Sequence, residues 1–182
     1  MDRAKSKRLV IDADVLHSAG DEKAIHPTAK RCRDFLQAML KICHRVVQTT
    51  AIGEEWRRHC SRFARKWLKQ MHSRKKVKQI QLSRAAAESL LPNVEETAKS
   101  EKELDAVRKD IHLIHAALAT DRSVISCDEI ARKLFGNASA SVADLSPIVW
   151  VNPDHEDETP IVWLENGAEA EPDRMLCRQR ES

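Results

Sequence analysis

Tyrosine is absent from the 182-residue chain and glycine occurs only four times. So few glycines argue against turn-rich all-β architectures and for helices joined by short connections. The five cysteines, Cys32, Cys43, Cys60, Cys127 and Cys177, are odd in number and include no Cys-x-x-Cys pair. That spacing argues against a zinc ribbon and a disulfide framework, and suits a reducing cytoplasm. Long apolar runs are missing as well. The only early one, Leu9 to Ile11, is far too short for a signal-peptide core or a span, so no membrane association is expected.

Charge is plentiful but unevenly placed. The net charge of +3 decides little, whereas its distribution decides more. From Arg57 to Lys78 there are ten Lys and Arg residues and no acid, and from Asp154 to Asp173 there are eight acids and no Lys or Arg. The first block can attract phosphates; the second is a solvated tail or an internal competitor for the first. The 42% hydrophobic content is enough for one real core and the length is short for two domains. The division expected is a domain over 1–153 and an acidic extension over 154–182, in which only Ile161 to Leu164 is apolar enough to dock.

Residues 8–13 (RLVIDA), 45–48, 123–126 and 148–151 (IVWV) are short apolar runs that suit buried strands, and 77–82 is a strand or a linker. Helical patterns separate them. One opens at Pro27. Another, capped by Thr49 or Thr50, spans about 52–71 with Trp56 and Trp67 as core markers. A short one from Ser83 stops at Pro92. A longer one has a capping box at Ser100 and Glu103, and the last has the same spacing at Ser126 and Glu129 with Gly136 as its C-cap. Strands alternating with helices predict an α/β fold, a three-layer α/β/α sandwich around a mostly parallel sheet.

In such a sheet, functional groups gather at the carboxyl ends of the strands. Asp12 ends the first strand. Glu55 lies near the start of the helix after the second, and Asp128 follows the third clear strand. Asp110 is in mid-helix and joins them if its helix packs against the first strand. Carboxylates in one pocket repel one another unless protonated or bridged by a cation, and a hard divalent ion prefers such oxygen ligands.

These segments resemble those of the PIN-domain nucleases. VIDADVL (10–16) is similar to that family's opening strand and first acid. TTAIGEEW (49–56) is similar to its second block, with Glu55 six positions after Thr49. DIHLIHAALATDRSVISCD (110–128) is similar to the helix and strand that bring its third and fourth acids, eighteen residues apart. The resemblance implies Asp12, Glu55, Asp110 and Asp128 as catalytic ligands of Mg²⁺ or Mn²⁺, and hydrolysis of phosphodiester bonds. It also implies an RNA substrate, single-stranded or looped, and leaves open a toxin role with an antitoxin partner, and a homodimer. A non-catalytic binding module and a structure-specific DNA nuclease are the alternatives on the same scaffold.

Competing residues are separated by spacing. Adjacent helical side chains point about 100° apart, so one of Glu54 and Glu55 faces the pocket, and the spacing from Thr49 selects Glu55. Asp110 is selected over Asp105 and Glu103 by its distance from Asp128. Asp14, Ser126 and Glu54 are assigned to support the ligands. His112 and His115, three apart, invite zinc but lack further ligands in any pattern. Arg57, Arg58, Arg62, Lys75 and Lys76 are expected to contact the substrate backbone.

Overall fold

The computed structural model describes residues 6–179. Five strands, β1 (Arg8–Ile11), β2 (Arg45–Gln48), β3 (Val77–Gln79), β4 (Ser123–Ile125) and β5 (Val149–Val151), form one parallel sheet in the order β3-β2-β1-β4-β5. Val10 at the centre pairs with Val47 on one side and Val124 on the other. Leu9, Val10, Ile11, Val46, Val47, Val124, Ile125, Trp150 and Val151 have no exposed surface. Both faces of the sheet are therefore covered, which is why the strands read as apolar runs and not as alternations.

Each parallel pair needs a crossover. α1 (Ala13–Ser18) and α2 (Pro27–Lys41) connect β1 to β2, and α3 (Thr50–His59) and α4 (Arg62–Ser73) connect β2 to β3. α5 (Arg84–Glu95) and α6 (Glu101–Leu118) lead back across the sheet to β4, α7 (Glu129–Ala138) leads to β5, and α8 (Pro160–Glu165) follows. Right-handed crossovers running both ways from the centre put α2 and α4 on one face and α6 and α7 on the other. The packing of α2 on α4 and of α6 on α7 agrees. The fold is thus a three-layer α/β/α sandwich. Its chain direction reverses between β1 and β4, so the switch-point crevice opens at the carboxyl ends of those two strands. Among the described residues, no helix is long and apolar enough to cross a membrane.

The helix expected over 52–71 is two helices. α3 ends at His59, Cys60 is extended, and Ser61 caps α4 by accepting from the Ala64 amide at 3.2 Å. The break is compensated across the chain: the amides of Ser61 and Phe63 donate to the carbonyls of Leu16 and Gly20, at the end of α1 and just beyond it. Pro92 does not stop α5, which continues to Glu95. Buried Leu90 and Val94 anchor the turns on either side, and Asn93 Nδ2 donates to the Ser89 carbonyl at 3.1 Å. Asp128, not Ser126, caps α7. Gly136 lies inside α7 rather than beyond it. A Cβ there would come within 2.8 Å of the Gln179 carbonyl oxygen, so glycine permits the C-terminal segment to cross the helix.

That segment is fixed to the rest. Trp163, Leu164 and Leu176 are buried, and the Leu176 amide donates to the Ile148 carbonyl at 2.9 Å. Its acids find partners outside the basic block. Asp154 and Glu156 pair with Arg31, Glu158 with Arg132 and Arg174, and Glu169 with Lys7.

Candidate functional site

Asp12 leaves β1 and caps α1. Its Oδ1 accepts from the Asp14 amide at 3.3 Å, and its Oδ2 accepts from the Ser126 hydroxyl at 2.8 Å. The Asp12 amide donates to the Ile125 carbonyl, so the ends of β1 and β4 are tied side by side. Ser126 Oγ also lies 3.2 Å from Asp14 Oδ2 and accepts from the Asp128 amide at 3.0 Å. A hydroxyl carries one proton, so it serves Asp12 or Asp14 at any instant, not both. Asp14 Oδ2 gains a second donor in the Cys127 amide at 3.0 Å, whereas Asp14 Oδ1 is buried and has no hydrogen-bond partner.

Asp110, 3% exposed, comes from α6, and Asp128 adds its carboxylate from the start of α7, where its Oδ1 accepts from the Ala131 amide at 2.9 Å. Glu55 comes from α3. Two bonds set the rotation of that helix: Thr49 caps it through the Ile52 amide, and the Trp56 indole donates to the Ile11 carbonyl at 3.0 Å. With Trp56 turned inward, its neighbour Glu55 faces α6, where Oε2 stands 3.1 Å from His112 Nε2, within ion-pair distance but off the line a hydrogen bond needs.

The electrostatics record how close these groups are. Burial pushes the Asp14 carboxyl up to about 8, helped by the charge of Asp12 and, to a smaller extent, Asp128, and opposed by the bonds from Ser126 and Cys127. Burial likewise raises Asp110 to about 6, with Asp12 and Asp128 adding to the rise and Lys109 and His112 opposing it. Asp12 is raised by burial, against its bonds from Ser126 and Asp14, and Glu55 adds to the rise. Lys109 is lowered by burial but raised more by Asp110, Asp128 and Asp12 together; its ammonium stands 3.5 Å from Asp110 Oδ1. Five carboxylates from four segments thus share one crevice, at the switch point.

Among the described residues, the group of three ligands whose donor atoms lie within 4.8 Å of one another is Glu129, His155 and Glu158, not these acids. That group is already neutralised. The Arg132 guanidinium, in a residue 5% exposed, contacts both glutamates and the Trp150 carbonyl, and Arg174 reaches Glu158 at 3.7 Å. Asn152 donates to Glu129 and Glu158 as well. It is an ion-pair network that fixes β5, α7 and the C-terminal segment. The Asp12 crevice fits a hard cation better. Its donors are mainly oxygens, its charge is under-compensated, and one buried oxygen has no partner. Mg²⁺ held by one or two of these carboxylates would keep several waters in its remaining positions.

The remaining expected residues scatter. Glu54 pairs with Arg58 at 3.5 Å on the exposed side of α3. Lys76 donates to the carbonyls of Met39, Leu40 and Ile42, closing the C-terminus of α2. Lys75 and Lys76 precede β3 and so lie at the amino edge of the sheet, opposite the crevice. Arg62 begins α4, and Arg57 is exposed on α3. Lys109 and His112 were not singled out for this crevice. Their signal is position alone, one before and two after Asp110 in a helix that passes the end of β1. No family model, curated protein or solved structure matches the chain.

Proposed function

We propose that this chain is a metal-dependent endoribonuclease of the PIN-domain type, acting in the cytoplasm. The observation that carries the reading is the meeting of Asp12, Asp14, Glu55, Asp110 and Asp128 at the switch point, with a buried Asp14 oxygen left unpartnered. Asp12, Glu55, Asp110 and Asp128 would hold Mg²⁺ or Mn²⁺ between them, directly or through water, with Asp14 beside Asp12 as a supporting group. A divalent ion bound there supplies Lewis acidity to the phosphoryl group and makes water a better nucleophile near neutral pH.

The chain's own groups do the rest. The Ser126 hydroxyl and the Asp14 and Ala131 amides fix the carboxylate rotamers, so little reorganisation is needed when substrate enters. His112 Nε2 lies 3.1 Å from Glu55 Oε2, and the exposed ammonium of Lys109 stands where a phosphate oxygen would meet the acids. Hydrolysis forms a bond from water oxygen to phosphorus and breaks one ester P–O bond, the leaving oxygen taking a proton. A toxin role, with an antitoxin partner, is a further proposal on the same chemistry.

The test is cleavage of labelled single-stranded RNA in Mg²⁺, Mn²⁺ or EDTA, beside Asp12→Asn. Cleavage is expected with either ion, and neither in EDTA nor by the variant. Cleavage that persists in EDTA or in Asp12→Asn overturns the reading. Binding without cleavage under every metal condition would leave a non-catalytic module, and preference for flapped DNA would change the substrate.

A further inference from the structure

A second feature opens on the same edge of the sheet, across α3 from the acids. Gln48, Thr49, Thr50, Gly53, Arg57, Gln79 and Gln81 line a groove at the carboxyl ends of β2 and β3. It continues between α3 and α4, sharing Gln48, Gly53 and Arg57 with a second stretch walled by Arg65, Leu68, Lys69 and His72. Those last four stand at i, i+3, i+4 and i+7, one face of α4. The stretch from Arg65 to His72 runs roughly 10 Å at 1.5 Å per residue. Among the described residues, no carboxylate lines either part.

The cations here differ from their neighbours on the same helices. On the other faces, Arg58 pairs with Glu54 and Lys66 with Glu22. Among the described residues, Arg57, Arg65 and Lys69 make no ion pair, although all three are exposed. Leaving them unpaired is not forced by a shortage of acid, since the C-terminal segment carries eight, of which five pair with cations outside the groove. The floor is uncharged. Gly53 leaves space where a Cβ would press on the Gln48 amide at 3.0 Å, and that amide is in turn linked to Gln79 at 3.1 Å. Fixed amides beside unpaired cations suit an acceptor-rich polyanion. Among the described residues no Phe or Trp ring is open to the groove, because Trp56 is only 1% exposed, which leaves the His72 imidazole as its one exposed ring.

We infer that this groove binds the sugar–phosphate backbone of a single-stranded polynucleotide. It leads the strand over the N-terminus of α3, at Thr49 and Thr50, toward the acid crevice one strand-width away. Recognition runs through phosphates and is tolerant of sequence. The inference rests on the nuclease reading only for where the strand leads; binding itself requires no metal and no cleavage.

The test measures binding apart from chemistry. A 5′-fluorescein 20-mer of oligouridylate is titrated with the full chain in EDTA and followed by anisotropy. Arg57→Ser/Lys69→Ser removes two groove cations; Lys30→Ser/Lys66→Ser removes two cations that already have carboxylate partners. The groove pair should weaken binding by roughly tenfold or more and flatten the log–log salt dependence by about 1.4, the value for two lost phosphate contacts on a single strand. The control pair should change affinity less than twofold, and Asp12→Asn, which removes a negative charge from the crevice, should not weaken binding. Equal losses from both pairs, no loss from the groove pair, or capture of polyglutamate in preference to the oligonucleotide overturns the inference. If Asp12→Asn still cleaves while the groove pair loses binding, the catalytic reading falls and the groove stands.

Discussion

The indole of Trp56 donates to the carbonyl of Ile11, the residue before Asp12, across 3.0 Å. One bond therefore couples the rotation of α3 to the end of β1 and brings Glu55 round to face the acids. Trp56→Phe removes the donor and leaves a buried carbonyl unmatched, a cost of about 1–3 kcal/mol. The melting temperature should fall by roughly 4–8 °C for 2 kcal/mol in a chain of this size. Mn²⁺ affinity by titration calorimetry should fall several-fold as well. Trp163→Phe is the control: its buried indole also donates to a carbonyl, that of Glu169 at 2.8 Å, but far along the chain from the acids. It should cost similar stability and leave Mn²⁺ binding unchanged. Equal loss of affinity in both variants would refute the coupling.

The acid crevice makes the metal-free protein sensitive to pH in an unusual direction. Asp110 and Asp14 hold their protons more tightly folded than unfolded, at about 6 and about 8. Stability from that protonation is complete below pH 4 and is lost as pH rises through 6 and then 8. The trend opposes that of Asp121, whose pairing with Arg8 holds its carboxyl below the usual range and favours the fold at higher pH. In EDTA, melting temperature should decline from pH 5.5 to pH 8.5, and saturating Mn²⁺ should remove most of the decline. Asp110→Asn should raise the metal-free melting temperature at pH 8 by roughly 4–8 °C, for about 2 kcal/mol relieved, and reduce the Mn²⁺ response. A variant less stable than the parent in EDTA would contradict the electrostatic account.

The parts of this arrangement that sequence makes legible are those set by local pattern. Apolar runs such as RLVI and IVWV mark strands buried on both faces, and an acid following a run at a strand end marks the edge where ligands collect. The convergence of Asp12 with Asp110 depends on α6 passing the end of β1, which no local pattern encodes. Other features depend on contacts distant in sequence. The break at Cys60 satisfies carbonyls at the end of α1, and Gly136 answers to Gln179 rather than to the end of its own helix. Lys76 looks like an exposed cation in a basic run, yet three carbonyls at the end of α2 hold its ammonium. Arg132 carries no sequence mark distinguishing it from other helical arginines, and it becomes central only when Glu158 returns to face it.

Arg132 provides a way to separate structural from metal-binding acids. Truncating one member of a buried ion-pair network leaves charge uncompensated and costs about 3–5 kcal/mol. Arg132→Met should destabilise by about 3 kcal/mol, because Arg174 still reaches Glu158. In the unaltered chain the two guanidinia compete with any cation for Glu129 and Glu158. In the variant those groups should acquire Zn²⁺ affinity, seen as a rise in melting temperature that Glu158→Gln abolishes. If Asp12→Asn with Arg132 in place still binds one Zn²⁺ that Glu158→Gln removes, the second cluster is a metal site after all.

Lys109 offers the most direct test of whether the crevice meets a phosphate. Its ammonium lies 3.5 Å from Asp110 Oδ1, with 68% of its side chain exposed. Two roles give different kinetics. If it only balances the charge of the acids, Lys109→Met should deepen the negative potential and tighten Mn²⁺ binding, and saturating metal should restore full cleavage. If it also meets the scissile phosphate, cleavage at saturating Mn²⁺ should remain roughly tenfold or more below that of the unaltered chain, at about 1.4 kcal/mol per tenfold. Lys109→Arg keeps the charge and should recover most of the rate. The second pattern is expected, because the Lys109 ammonium stands beside Asp110 yet keeps most of its side chain exposed, which leaves it free to meet an incoming anion. Full recovery of Lys109→Met by metal alone would assign the residue to charge balance and leave the phosphate contact to other groups.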